Sequence, residues 1–142
     1  MKTLYKAKVT TQGGREGHLK SDDGVLDTKL SMPKGMDGKG EELTNPEQLF
    51  AAGYSASFGS ALEMVAEKHK VAIGDYSVTA TVGIGNTKEN ELQLSVILDA
   101  YIPNVAIETG EMLVNEAHEI CPFSRATRDN INVTLNLMLD EE

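Results

Sequence analysis

One cysteine, Cys121, stands in a chain of 142 residues. A lone sulfur excludes an intramolecular disulfide framework and supplies too few thiolates for the usual structural zinc patterns. Long apolar runs are also missing. No stretch approaches membrane-spanning length, and Met1 to Thr10 alternates polar and apolar residues without the apolar segment of a signal peptide. The expectation is a cytoplasmic protein with no membrane partner. Positive charge is scarce as well: 13 Lys and Arg stand against 22 Asp and Glu, for a net charge of -9 and a pI near 4.8. Such a surface repels phosphate backbones, so no nucleic-acid partner is expected, and the charge serves solubility. What is plentiful is apolar side chain, 40% of residues, which suffices for the core of a single domain over residues 1–142.

Along the chain, Leu4 to Thr11 and Val25 to Met32 alternate with the period of a strand on either side of the turn signal Asp22, Asp23 and Gly24, predicting an amino-terminal strand pair or meander. Glycines 35, 38 and 40, mixed with charge, mark Pro33 to Thr44 as a mobile loop. A helix then starts at Asn45, which can cap it. Pro46 suits the first helical position, and Glu47 complements the helix dipole. From Leu49 to about Lys68 this helix is apolar on nearly every side, which predicts burial all round. Its small residues Gly53, Ser55, Ser57, Gly59 and Ser60 permit close approach of another helix or a second subunit. Tyr76 to Ile84 and Leu92 to Ile102 read as a hairpin. A second helix is expected from near Asn104 to Ile120, with Leu113, Ala117, Ile120 and Cys121 on one stripe and Pro122 ending it; the alternating run Ile131 to Leu139 reads as a half-buried strand. This order predicts an α+β fold with a largely antiparallel sheet and two principal helices.

Two segments carry chemistry: Asn45 to Phe58, NPEQLFAAGYSASF, and His118 to Asn130, HEICPFSRATRDN. Together with Gly13, Gly14 and Arg15, the DDGVLD stretch at Asp22 to Asp27 and the closing INVTL strand, they make the chain resemble the organic hydroperoxide resistance proteins of the OsmC/Ohr family over nearly its whole length. The resemblance implies an OsmC/Ohr-like fold, an intertwined homodimer, and a peroxidase that reduces fatty acyl or alkyl hydroperoxides through a pair of cysteines. It implies no bound cofactor, with a lipoylated protein, through its dihydrolipoamide, as the reductant. It also gives Arg15 the role of bonding the attacking cysteine and the peroxide, Glu47 that of gripping Arg15, and Cys121 that of the resolving thiol.

The position of the attacking, peroxidatic cysteine is held here by Ser57. A serine hydroxyl keeps its proton at neutral pH, attacks poorly without a dedicated base and has no oxidised state that a thiol can reduce. The chain is therefore expected to be inactive as written, whether the serine was introduced or inherited, with fold and pocket preserved because oxygen and sulfur differ little in volume. Phe50, Tyr54, Phe58 and Phe123, with Met64, are candidates to line an apolar substrate pocket, or belong to the core.

Other readings stay open on the residues alone. Cys121 can serve a one-cysteine peroxidase resolved by an external thiol, or be a small buried hydrophobe. The same apolar cavity also suits a non-catalytic protein that binds or senses acyl ligands. Gly53 to Ser57 begins like a serine hydrolase elbow, but that motif needs glycine where Ser57 stands and a strand-to-helix turn. His18, His69 and His118 are read as structural or exposed, since two nearby ligands make no metal site. Arg125 and Arg128 receive no role.

Overall fold

The computed structural model describes residues 1–139 and resolves two compact units, Met1–Leu49 and Phe50–Glu142, whose last three residues lie outside that description. In the first unit, β1 (Val9–Gln12), β2 (His18–Ser21) and β3 (Asp27–Lys29) form an antiparallel meander, with Gln12 opposite His18 and Lys20 opposite Asp27. The β2–β3 turn is tied by Ser21, whose hydroxyl donates to Asp23 at 2.6 Å, and by the Val25 N–H on the same carboxylate at 3.0 Å. Between β1 and β2 a single 3-10 turn, Gly14–Glu16, presents Arg15. Gly17 closes this turn where a Cβ would sit 1.8 Å from the Gln12 carbonyl oxygen, so only glycine lets the chain fold back so tightly.

The expected strand over Leu4 to Thr11 is shorter in the structure. Residues 1–8 have no regular structure and are exposed, and the pairing with β2 runs out where the Asp22 N–H donates to the Lys8 carbonyl at 3.0 Å. A strand needs a ladder partner as well as a pattern. The run expected over Val25 to Met32 forms β3 only from Asp27 to Lys29, followed by a single bridge from Leu30 to Thr44. Conversely β2, HLKS, has one large apolar residue and no legible alternation, yet it is the middle strand and buries Leu19. The Pro33 to Thr44 segment contains one 3-10 turn, Lys34–Met36, and otherwise no helix or strand beyond that bridge.

Helix α1 (Pro46–Lys68) begins as the sequence predicts: the Asn45 Oδ1 accepts the Gln48 N–H at 2.8 Å, and Pro46 occupies the first position. In the second unit the chain continues through β4 (Ser77–Asn86), β5 (Leu92–Tyr101), α2 (Ile107–Ile120), α3 (Pro122–Thr127) and β6 (Val133–Met138). The sheet order is β4-β5-β6. The hairpin β4–β5 is antiparallel, but β6 joins β5 in parallel, because α2 and α3 intervene as the crossover that a parallel pair requires. The predicted α+β class holds, with this parallel pair as an addition to the largely antiparallel pattern.

The core of this unit is built from Tyr54, Phe58, Leu62 and Val65 of α1, Val96, Leu98 and Ala100 of β5 followed by Ile102, and Leu113, Val114 and Ala117 of α2. Spacings of three and four on the helices and two on the strand bring one face of each element inward. Each large side chain so buried contributes about 1.5–3 kcal/mol. Two expectations are corrected. Within this chain α1 is not buried all round: Met64 is 63% exposed, and Ala52, Ala56 and Ser60 also face outward. Helix α2 starts at Ile107, three residues later than predicted, and Ile120 is exposed while Leu113, Ala117 and Cys121 are buried. Pro122 does end α2, but it also begins α3, a six-residue helix too short to show a periodic apolar pattern.

Candidate active site

Arg15 and Glu47 meet in the first unit. The guanidinium donates twice, Nη1 to Oε1 at 2.6 Å and Nη2 to Oε2 at 2.9 Å, a fork-on-carboxylate geometry that fixes the plane of both groups. Their side chains are 27% and 14% exposed, so the pair is only partly screened by water. The hydrogen bonds from Arg15 hold the Glu47 carboxyl below its ordinary range, against the opposing effect of burial, and reciprocally raise the guanidinium further. Arg15 therefore remains a fixed positive charge in a set orientation.

Ser57 and Cys121 meet in the second unit. The Ser57 Oγ lies 3.6 Å from the Cys121 Sγ, although 64 residues separate them in sequence. Ser57 is half-buried on α1, and Cys121 has no exposed surface. Cys121 sits where α2 ends and α3 begins: its N–H donates to the Ala117 carbonyl at 2.8 Å and its own carbonyl accepts the Arg125 N–H at 2.9 Å. Both backbone groups are thus committed to the two helices, which fixes the direction of the thiol. A sulfur at position 57 would need to approach by about 1.5 Å to reach disulfide bonding distance.

Around this pair, Phe50, Tyr54 and Phe123 form an aromatic triangle with ring centroids 5.7–6.3 Å apart, edge-on or tilted. Gly53 lets Phe123 approach to where a Cβ would be 3.1 Å from the ring, so the small residues of α1 serve a contact with α3. Of the candidate pocket residues, Tyr54 and Phe58 have no exposed surface and pack in the core, while Phe50 and Phe123 are half-buried and Met64 is exposed. The Tyr54 hydroxyl is 2.8 Å from the Ser124 Oγ and 3.2 Å from the Thr127 Oγ1, and Ser124 in turn lies 2.8 Å from the His118 Nδ1.

Sequence reasoning assigned nothing to Ser124 or Thr127. The available signal was position: His118 and Ser124 stand three residues before and after the lone cysteine, one helical turn to either side. Burial, reinforced by the charge of Arg128 and opposed by that of Glu119, pushes the His118 pKa down. Arg128 donates to the His118 carbonyl at the end of α2. The other histidines are elsewhere, His18 beside Asp27 and His69 beside Glu116. Among the described residues no group of three or more His, Cys, Asp or Glu side chains could hold a metal ion, and no helix is long and apolar enough to cross a membrane.

The chain is similar to known proteins over almost its full length. The OsmC-like protein family matches residues 38–136. An organic hydroperoxide resistance protein of Xanthomonas axonopodis pv. citri is 45% identical over 137 residues, covering 96% of each chain. The crystal structure of an organic hydroperoxide resistance protein from Elizabethkingia anophelis superposes with a TM-score of 0.93 at 48% identity, covering 99% of this chain and 100% of that one. OhrB of Bacillus subtilis superposes with a TM-score of 0.89 at 44% identity, covering 96% and 100%. A fold with this strand and helix order, shared with relatives well above 30% identity over nearly every residue, leaves one assignment: the chain belongs to the OsmC/Ohr family.

Proposed function

We propose that this fold serves the detoxification of organic hydroperoxides by a thiol-dependent peroxidase reaction, and that the chain as written cannot complete it because Ser57 stands at the attacking position. The observation that carries the reading is the 3.6 Å approach of Ser57 Oγ to Cys121 Sγ, which is the spacing a reacting pair needs. With a cysteine at 57, its thiolate attacks the outer peroxide oxygen and the O–O bond breaks. The sulfur becomes a sulfenic acid, and the alkoxide takes a proton to leave as the alcohol. The Cys121 thiol then displaces water from that sulfenic acid, forming a disulfide, which a dithiol returns to two thiols while becoming a cyclic disulfide itself.

In this reading Arg15, oriented by Glu47, supplies the positive charge that steadies thiolate and alkoxide. The half-buried Phe50 and Phe123, backed by Tyr54 and Phe58 in the core, favour a hydroperoxide with a hydrocarbon body. The reductant is the dihydrolipoamide of a lipoylated protein, and the working form is a cytoplasmic homodimer in which residues 1–142 act as one domain. The complete burial of Cys121 counts against a one-cysteine reaction through an external thiol.

The test is hydroperoxide consumption with dihydrolipoamide. The chain with Ser57 is expected to be silent, and Ser57→Cys to turn over cumene or fatty acyl hydroperoxide. Turnover by the serine form, or silence of a folded Ser57→Cys chain, overturns the reading.

A further inference from the structure

The hydroxyl cluster behind Cys121 has a direction. A carbonyl oxygen can only accept, so the 3.1 Å contact of the Thr127 Oγ1 with the Ser124 carbonyl uses the single proton of Thr127. Thr127 then has only lone pairs to offer Tyr54, 3.2 Å away, and the Tyr54 hydroxyl must donate to it. That commits the one proton of Tyr54, so across the 2.8 Å contact Ser124 must donate to Tyr54. Ser124 in turn has no proton left for His118, and the Nδ1 must donate to Ser124 across the remaining 2.8 Å. Each of the three hydroxyls in this cluster is then satisfied, as burial demands. The reverse direction leaves the Thr127 proton on Tyr54 and abandons its bond to the Ser124 carbonyl.

The cluster also has an address. Tyr54 lies one turn before Ser57 on α1, while His118 and Ser124 lie one turn to either side of Cys121, on α2 and α3. Tyr54 and Ser124 are fully buried, and Thr127 is 5% exposed. The hydrogen bonds therefore join the three helices that carry the two approaching side chains, close to where those side chains meet.

We propose that His118, Ser124, Tyr54 and Thr127 form a one-way hydrogen-bond relay that locks His118 as its Nδ1–H tautomer and holds Cys121 in register with residue 57. His118 is thus a positioning residue, acting through Ser124, with Nε2 left as the basic nitrogen of the ring. The claim about register rests on the peroxidase reading; the claim about the tautomer does not.

Two measurements test it. In the chain as it stands, the ¹⁵N chemical shifts of His118, recorded above its pKa, are expected to show Nδ1 protonated. Thr127→Val keeps the volume but removes the terminal hydroxyl; Tyr54 must then donate to Ser124, Ser124 to Nδ1, and the proton moves to Nε2. Thr127→Ser keeps the hydroxyl and is expected to keep the tautomer. An Nε2–H signature in the parent chain, or no change in a folded Thr127→Val variant, overturns the relay, and the parent measurement decides it even if Thr127→Val fails to fold.

The second measurement uses the Ser57→Cys background and one equivalent of an organic hydroperoxide. Thr127→Val is expected to slow disulfide formation between residues 57 and 121 by on the order of tenfold to a hundredfold, the scale set by ångström misplacement of reacting groups, while sulfenic acid appears at an unchanged rate. Thr127→Ser is expected to restore the disulfide rate. An unchanged disulfide rate alongside a switched tautomer overturns the register claim alone. Absence of any sulfenic acid in Ser57→Cys sinks the peroxidase reading and leaves the tautomer result standing.

Discussion

The two candidate pairs of this molecule are built on opposite physics. Arg15 and Glu47 are charged, partly wet and joined by two short hydrogen bonds, so their geometry follows from the groups themselves: a planar fork meeting a planar carboxylate. Ser57 and Cys121 are neutral, and the single weak contact between them does not hold them together. Their approach is imposed by surrounding structure: the buried face of α1, the pinned backbone at the α2–α3 junction, and the hydroxyl relay. A charged pair positions itself, whereas a neutral pair must be positioned.

The largest effect expected from testing this contrast is chemical. Ser57→Cys is expected to raise hydroperoxide reduction by on the order of a thousandfold or more, because loss of a nucleophile removes rate on that scale, while the melting temperature barely changes. A peroxidase assay and a thermal scan on the same sample check both halves. Next comes the loop that presents Arg15. Gly17→Ala drives a methyl into the Gln12 carbonyl and is expected to cost about 3 kcal/mol in urea unfolding, without altering the Ser57–Cys121 approach.

A smaller loss, about 1–2 kcal/mol at neutral pH, is expected for Glu47→Gln, since the pair is partly screened. The sign is fixed by the lowered Glu47 pKa: its contribution is present above the ordinary value of 4.5 and is lost as pH falls through the folded value. Parent and variant are thus expected to converge in acid, and a deficit that persists there would falsify the ionic account. The smallest effect belongs to the neutral side. His118 also has a lowered pKa, so its contribution is present above 6.5 and fades as pH drops through the folded value. His118→Gln should flatten that slope in pH-dependent unfolding, with a change below about 1 kcal/mol.

Much of the fold could be read from pattern. The hairpin of β4 and β5, the final strand and the capped start of α1 follow from alternation and from Asn45, Pro46 and Glu47, because these signals act over a few residues. Strand β2 could not be read, since HLKS becomes a strand only through partners on both sides. Residues 4–8 show the converse, an alternating pattern that finds no ladder over its length. The exposed side of α1 was misjudged for a related reason: alanine, serine and glycine satisfy an apolar count without being forced inward, and Met64 followed them. For the site, the residue types at 15, 47, 57 and 121 were legible, but the roles of Ser124 and Thr127 were not, because a hydroxyl carries no periodic signal and acquires meaning only from its neighbours.

By itself the sequence determined which atoms are available: a single thiol at position 121, a hydroxyl at position 57, a cation at position 15 and an acid at position 47. Those are properties of side chains and survive any folding. Only the tertiary structure decided that position 57 and the thiol at 121 face each other across 64 residues, and that a chain of hydroxyls runs behind them, since such approaches arise from close packing of α1, α2 and α3 and not from the chemistry of any one segment.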